Sequence, residues 1–369
     1  MKMPDRRRNP YVLALVLAAS LFGWAAWHFL ADTATDAGTP LTLGFLMLAL
    51  GFGGFPALKG FRFPVIIFAG VTLALYHPSW FTTIGNYRLT GLIIPLIQLI
   101  MFGMGTAMSL SDFLGVLREP KGVLVGLTAQ LTLMPLVGYV LAHTSGLPPV
   151  IAAGIVLVGC SPSGVASNVM AYLARANLAL SVTITALATL LAPLVTPMGM
   201  RLLAGELVTV DVLTMMWDIV KMILLPIGAG LWANRLLGSK LQRVNQFLPW
   251  LSMAAIALII IIITAAGRES LLQMGGTLIL VVLAHNFSGY LLGYGYARLW
   301  RMTPRDARTI ALEVGMQNSG LASGIAYSMG KIATMGLAPA VFGPLMNISG
   351  SILAGYWHKR PLSREHPEA

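Results

Sequence analysis

The chain has 369 residues, 57% of them hydrophobic and 10% charged, with a formal net charge of +11. Soluble domains carry roughly 25% charged residues, and disordered chains combine low hydrophobicity with dense charge. Both classes are excluded, which leaves a helical membrane protein. The single cysteine rules out an intrachain disulfide and a cysteine-rich metal site.

A bilayer core takes about 20 apolar residues per helix. In chain order such windows predict spans at about 11–31, 41–58, 62–80, 89–109, 121–143, 150–173, 177–203, 212–236, 247–266, 272–298, 306–329 and 333–357. The second window is the weakest, because Gly51, Gly53, Gly54 and Pro56 cluster in it. The first follows Arg6, Arg7 and Arg8 as a signal peptide would, but no small-residue cleavage site follows Trp24, Trp27 and His28 cleanly, so a retained helix is expected. Twelve crossings put nineteen of the 24 Lys and Arg residues on the side of the N-terminus. Arg88, Arg201, Arg268 and Lys331 fall opposite, and Lys221 lies within a span beside Asp218, a pair able to satisfy itself at i, i+3. The positive-inside rule makes both termini cytoplasmic. The basic residues are thereby read as topology signals facing a lipid bilayer, with no nucleic-acid partner.

Ser163-Gly-Val-Ala-Ser167 and Ser319-Gly-Leu-Ala-Ser323 match at four of five positions, and the same offset sets Gln130 opposite Asn286. Five spans separate the copies, so their orientations are opposite, the mark of an inverted-topology repeat. The expected organisation is an all-α integral membrane protein: an extra N-terminal transmembrane hairpin over 1–60, a five-helix repeat over 61–205, its inverted copy over 211–358 and a cytoplasmic tail over 359–369.

Two spans carry polar residues where lipid-facing sequence should be apolar. Gly159-Cys-Ser-Pro-Ser-Gly-Val-Ala-Ser-Asn168 loses a backbone donor at Pro162, which predicts a broken helix lining a site. Glu313-Val-Gly-Met-Gln-Asn-Ser-Gly320 places a carboxylate about nine residues past Pro304, hence near mid-membrane at roughly 1.5 Å per residue. A carboxylate there costs several kcal/mol unless paired, and no Lys or Arg lies within four residues of it in sequence. A bound cation or a proton is the natural counter-charge. Ser167, Asn168, Ser181, Thr185, Gln130, Gln317 and Glu313 are all oxygen donors suited to a hard ion. The N-termini of the second half-helices, after Pro162 and after Asn318, would attract an anionic substrate.

These two motifs, with Met101-Phe-Gly-Met-Gly105, Gly159-Cys160 and Asn347-Ile-Ser-Gly-Ser351, resemble the bile acid:sodium symporter family over about residues 62–358. The resemblance implies two inverted five-helix repeats, in which two broken helices cross, and two sodium sites. The first would use Ser167, Asn168, Ser181, Thr185 and Glu313. The second would use Gln130, Glu313 and Gln317 with the backbone of Val314 and Met316. Substrate would lie near Ser163, Gly164, Val165, Ala166, Asn318 and Ser319. Some bacterial members carry Thr at the position of Val165 and His at that of Met346, a departure that bears on the substrate more than on the ions.

The expected function is therefore a symporter, not an enzyme, which imports a small organic anion with Na⁺ by alternating access at a cell inner membrane. Carboxylates such as pantoate are favoured over bile acids. A proton carried by Glu313 is the first alternative, and an ungated channel is another. An intramembrane hydrolase using Ser163 or Ser319 with His285 is weaker, since it needs the imidazole set on the nucleophile.

Overall fold

The computed structural model describes residues 9–109, 119–237 and 242–360. Arg6, Arg7, Arg8, Arg118, Lys240 and most of the 359–369 tail lie outside them. The described chain is helical but for one two-residue hairpin, with ten helices long and apolar enough to cross a membrane. It is an all-α, multi-pass membrane protein.

The first three crossings are α1 (Asn9–Leu30), α2 (Gly38–Phe52) and α3 (Arg62–Tyr76). The predicted second span ends early, at Phe52, where the Gly53-Gly54 pair and Pro56 turn the chain into a short 3₁₀ segment, Pro56–Phe61. Helix α1 packs on α2, and α2 on α3. A hairpin then pairs Thr83–Ile84 with Tyr87–Arg88, turning at Gly85, whose φ of +59° suits a residue without Cβ. Helices α4 (Ile93–Ala107) and α5 (Pro120–Thr144) follow.

The span expected at 150–173 is two half-helices, α6 (Pro149–Cys160) and α7 (Val165–Leu173). Beyond it run α8 (Leu178–Ala204) and α9 (Val212–Ile219), which passes through a π turn, Val220–Leu224, into α10 (Leu225–Leu237). Gln98 of α4 donates to the Lys221 carbonyl within that wide turn, and Lys221 Nζ lies 4.0 Å from Asp218, as the i, i+3 spacing predicts. Helices α11 (Gln242–Ala266) and α12 (Arg268–Leu299) lead to a second broken span, α13 (Pro304–Gly315) and α14 (Ser319–Ser328). Helix α15 (Leu337–His358) closes the described chain.

The broken spans occupy the centre. Residues 151–160 of α6 and 307–315 of α13 are buried without exception. Helix α12 packs along α13 and α5 along α6, with α8, α15 and α4 around them. Helices in lipid associate through close packing rather than apolar burial, so small residues mark the contacts. Where α4 meets α10, a Cβ at Gly230 would fall on the Phe102 carbonyl and the Thr106 amide, and one at Gly105 on the backbone of Ile227. Backbone cannot swing aside. Gly230→Ala should therefore lower the stability of detergent-purified protein by about 1–3 kcal/mol. Gly228→Ala on the same helix, where a Cβ meets open space, should be neutral or stabilising by up to about 1 kcal/mol. Thermal melts of the two variants side by side check the contrast.

Candidate functional site

Breaking a helix inside a membrane frees backbone groups that lipid cannot satisfy. At the first break Pro162 withholds its donor from the Val158 carbonyl, which accepts instead from the Ser161 amide at 3.2 Å. The Ser161 hydroxyl donates to Leu157 O at 2.8 Å. Thr196 of α8 donates to Cys160 O at 2.8 Å, and the Gln130 amide of α5 donates to Ser161 O at 3.1 Å. At the second break Asn286 of α12 donates to Gly315 O at 2.8 Å and the Gln317 side chain to Val314 O at 2.6 Å. The remaining groups pair across the two breaks: Gly164 N–H to Met316 O at 3.1 Å and Asn318 N–H to Pro162 O at 2.8 Å, an antiparallel bridge between Ser163 and Gln317.

The bridge sets α13 against α7 and α8 and brings Glu313 into a ring of hydroxyls. Ser163 (2.6 Å) and Thr185 (2.7 Å) donate to Glu313 Oε2; Ser167 (2.6 Å) and Ser181 (2.5 Å) donate to Oε1. All five side chains are buried. Ser181 and Thr185 are one turn apart on α8, so both project from one face. Asn168 Oδ1 completes the cluster at 2.8 Å from Ser181 Oγ and 3.3 Å from Thr185 Oγ1, and Ser167 Oγ also lies 2.7 Å from Gly164 O. A hydroxyl carries one proton. Four hydroxyls cannot serve all of these oxygen pairs at once, so the cluster holds more close oxygens than protons to join them.

Four of the five residues expected at the first ion position surround the fifth, Glu313. Ser163, expected beside the substrate, joins them instead; its place next to Pro162 in the break was the one available signal. At the second position Gln130 and Gln317 meet, Nε2 to Oε1 at 2.7 Å. Gln130 Oε1 is buried with no hydrogen-bond partner. Flipping the amide would set its oxygen against the Ser161 carbonyl and Gln317 Oε1, both acceptors, so Oε1 remains the atom without a partner. Val314 O and Met316 O adjoin, each already accepting one hydrogen bond. Both Glu313 oxygens are turned to the hydroxyl ring.

The two half-helix ends differ. Asn318 Oδ1 accepts from Leu321 N at 3.0 Å and so caps α14 itself, whereas Gly164 offers α7 no side-chain cap. The Ser319 amide donates to Gln317 O at 3.0 Å, while Val165 and Ala166 open α7 without a side-chain cap. Val165 is 42% exposed; Met346 is buried in α15, with Tyr290 Oη 3.3 Å from its carbonyl. His285 Nε2 lies 3.2 Å from Met134 O, a pure acceptor, so Nε2 carries the proton and the buried Nδ1 is bare. With Ser163 committed to Glu313, no Ser–His pair forms among the described residues.

No group of three or more His, Cys, Asp or Glu occurs among the described residues. One carboxylate among hydroxyl and amide oxygens suits a hard, weakly charged cation, not a transition metal. The fold and the site together define a membrane transporter for small ions and solutes. Residues 94–274 match the model of the sodium bile acid symporter family. YocS of Bacillus subtilis strain 168, named a sodium-dependent transporter, is 42% identical over 297 residues, which cover 80% of this chain and 90% of the relative. The chloroplastic protein of Arabidopsis thaliana named probable sodium/metabolite cotransporter BASS1 is 34% identical over 298 residues, 80% of this chain and 73% of its own. Its counterpart in Oryza sativa subsp. japonica is 32% identical over 300 residues, 81% and 73%. The chain belongs to the sodium bile acid symporter family, whose named members are transporters and cotransporters rather than enzymes.

The packing at the breaks gives a test independent of any ligand. Asn286→Leu would strand the Gly315 carbonyl and remove the acceptor that the Ser349 hydroxyl meets at 2.6 Å. A buried polar group left unpaired costs about 1–3 kcal/mol, so Asn286→Leu should lower the melting transition in potassium salts. Asn347→Leu, which removes only a bond to a carbonyl within its own helix, should cost much less.

Proposed function

We propose that the protein is a symporter that imports a small organic anion with two sodium ions by alternating access. The observation that carries this reading is the Glu313 cluster. Four hydroxyls lie 2.5–2.7 Å from the two carboxylate oxygens, an arrangement able to solvate an ionised group; a protonated carboxyl would turn one of those donors away. A monovalent cation among Ser167, Asn168, Ser181, Thr185 and Glu313 neutralises the carboxylate and occupies the oxygen pairs that lack a proton. A second cation has Gln130 Oε1, Gln317 and the carbonyls of Val314 and Met316 within reach, next to Glu313. The bare Gln130 oxygen is the donor such an ion would complete.

Substrate then lies at the α7 end, where the uncapped amides of Val165 and Ala166 meet a carboxylate without a dedicated arginine. An inverted pair of five-helix units, 61–205 and 211–358, is supported by the matching roles of Gln130 and Asn286, each capping the carbonyl at the end of the half-helix that precedes a break. The charge distribution supports both termini in the cytoplasm and a cell inner membrane. Two Na⁺ with one monoanion carry one net positive charge inward, worth about 2.3 kcal/mol per 100 mV of inside-negative potential. Sodium that stabilises the bridge between the breaks raises anion affinity, and by linkage the anion raises sodium affinity equally.

Thermal unfolding of the purified chain in NaCl against equimolar KCl tests the ion assignment without knowing the substrate. A ligand bound only to the folded state at a hundredfold excess over its Kd stabilises by about 2.7 kcal/mol. Sodium-specific stabilisation of that order should appear in the wild type and vanish in Glu313→Gln. Equal curves in the two salts, with a pH-dependent shift in their place, would transfer the coupling to protons. Uptake of carboxylates into proteoliposomes should then rise with an inside-negative potential; indifference to potential would overturn the two-to-one stoichiometry.

A further inference from the structure

The helices that hold the ion ligands are fastened together one turn before the ligands begin. On α8, Asn177 precedes Ser181 and Thr185 by one and two turns; on α13, Thr309 precedes Glu313 by one. The two stripes face each other. Asn177 N–H donates to Thr309 Oγ1 at 2.8 Å, and Thr309 Oγ1 lies 3.2 Å from the Asn177 carbonyl and 3.3 Å from that of Arg305, either of which accepts its proton. Thr309 is fully buried.

Asn177 spends every remaining polar atom at this joint. Its Oδ1 accepts from Leu180 N at 3.2 Å and caps α8. Its two amide protons go to Glu119 Oε2 at 2.8 Å and Asp306 Oδ1 at 2.9 Å. Glu119 is the residue before α5, and Asp306 lies in the first turn of α13, where Thr303 donates to its second oxygen at 2.8 Å. One side chain thus joins the N-termini of the three helices that carry Gln130, Ser181 with Thr185, and Glu313. Two carboxylates held by one amide beside three helix N-termini are stabilised where they sit.

We propose that Asn177 and Thr309 are positioning residues for the cation site, fixing the axial register of α13 against α8 so that Glu313 stands opposite Ser181 and Thr185. Slipping one helix by a single residue moves its side chains about 1.5 Å along the axis and takes Glu313 out of range of hydroxyls now 2.5–2.7 Å away. The joint acts without touching the ion. The proposal rests on the sodium reading above and adds residues to it that supply no ligand atom.

The test titrates sodium, at constant ionic strength with KCl, against the melting temperature of the full chain and against ²²Na⁺ binding. Thr309→Val keeps the shape and removes the hydroxyl; Thr309→Ser keeps the hydroxyl. Asn177→Asp keeps the size but replaces the two-donor amide with a third carboxylate. The valine and aspartate variants should need about 3- to 10-fold more sodium for half effect, the span expected when one hydrogen bond's worth of register is lost. The serine variant should stay within about twofold of the wild type. Variants that melt lower in both salts with an unchanged sodium midpoint would overturn the positioning role and leave the sodium site standing. A wild type without any sodium-specific effect would overturn both. Should the valine variant fail to fold, Asn177→Asp decides alone by the same criterion.

Discussion

Everything in this protein is arranged around one carboxylate in a place where water cannot reach it. An ionised group in the bilayer interior is costly unless its surroundings replace the hydration it has lost. Glu313 receives that replacement from hydroxyls on three different helical segments: the first break, α7 and α8. None of these carries a charge. On the sodium reading proposed above, the negative charge is solvated but not neutralised by these groups, and a mobile cation supplies the counter-charge. A fixed partner would have made the site permanent and inert.

The same economy governs the backbone. Two interrupted helices expose carbonyls on both sides of each gap, and long helices reach in to cover them: α5 with Gln130, α8 with Thr196, α12 with Asn286. Asn286 is held in turn by Ser349, whose hydroxyl lies 3.1 Å from Tyr290 Oη. The exceptions carry the chemistry. Gln130 keeps one oxygen without a donor, and α7 begins without a side-chain cap. On the function proposed above, the unfilled Gln130 oxygen would take a cation and the amides at the start of α7 an anion.

Much of this was legible in the residues. Apolar length located the ten helices long enough to cross a membrane, and Pro162 together with the polar run at 313–320 located both interruptions, because lipid tolerates such residues only where protein covers them. The Asp218–Lys221 pair followed from helical spacing. What escaped has a common cause: partners more than a hundred positions apart leave no periodic trace. Ser163 read as a substrate contact because its distance from Glu313 is set by the bridge to Gln317, not by either local pattern. Asn177 and Thr309, which meet across 132 positions, carry no local mark of their pairing. The second span ran short because glycine raises backbone freedom without lowering apolar content, and a window average weighs only the latter.

The bridge between the interruptions also limits how the molecule can move. Gly164 N–H and Asn318 N–H each find their acceptor on the opposite segment, and lipid offers no substitute for either. Sliding α7 away from α14 would leave two amides and two carbonyls bare at once, whereas carrying both together keeps these two bonds. On the alternating-access reading proposed above, the two interrupted spans would therefore move as a single part, carrying the crossing whole as the ion cluster opens to one face and then to the other.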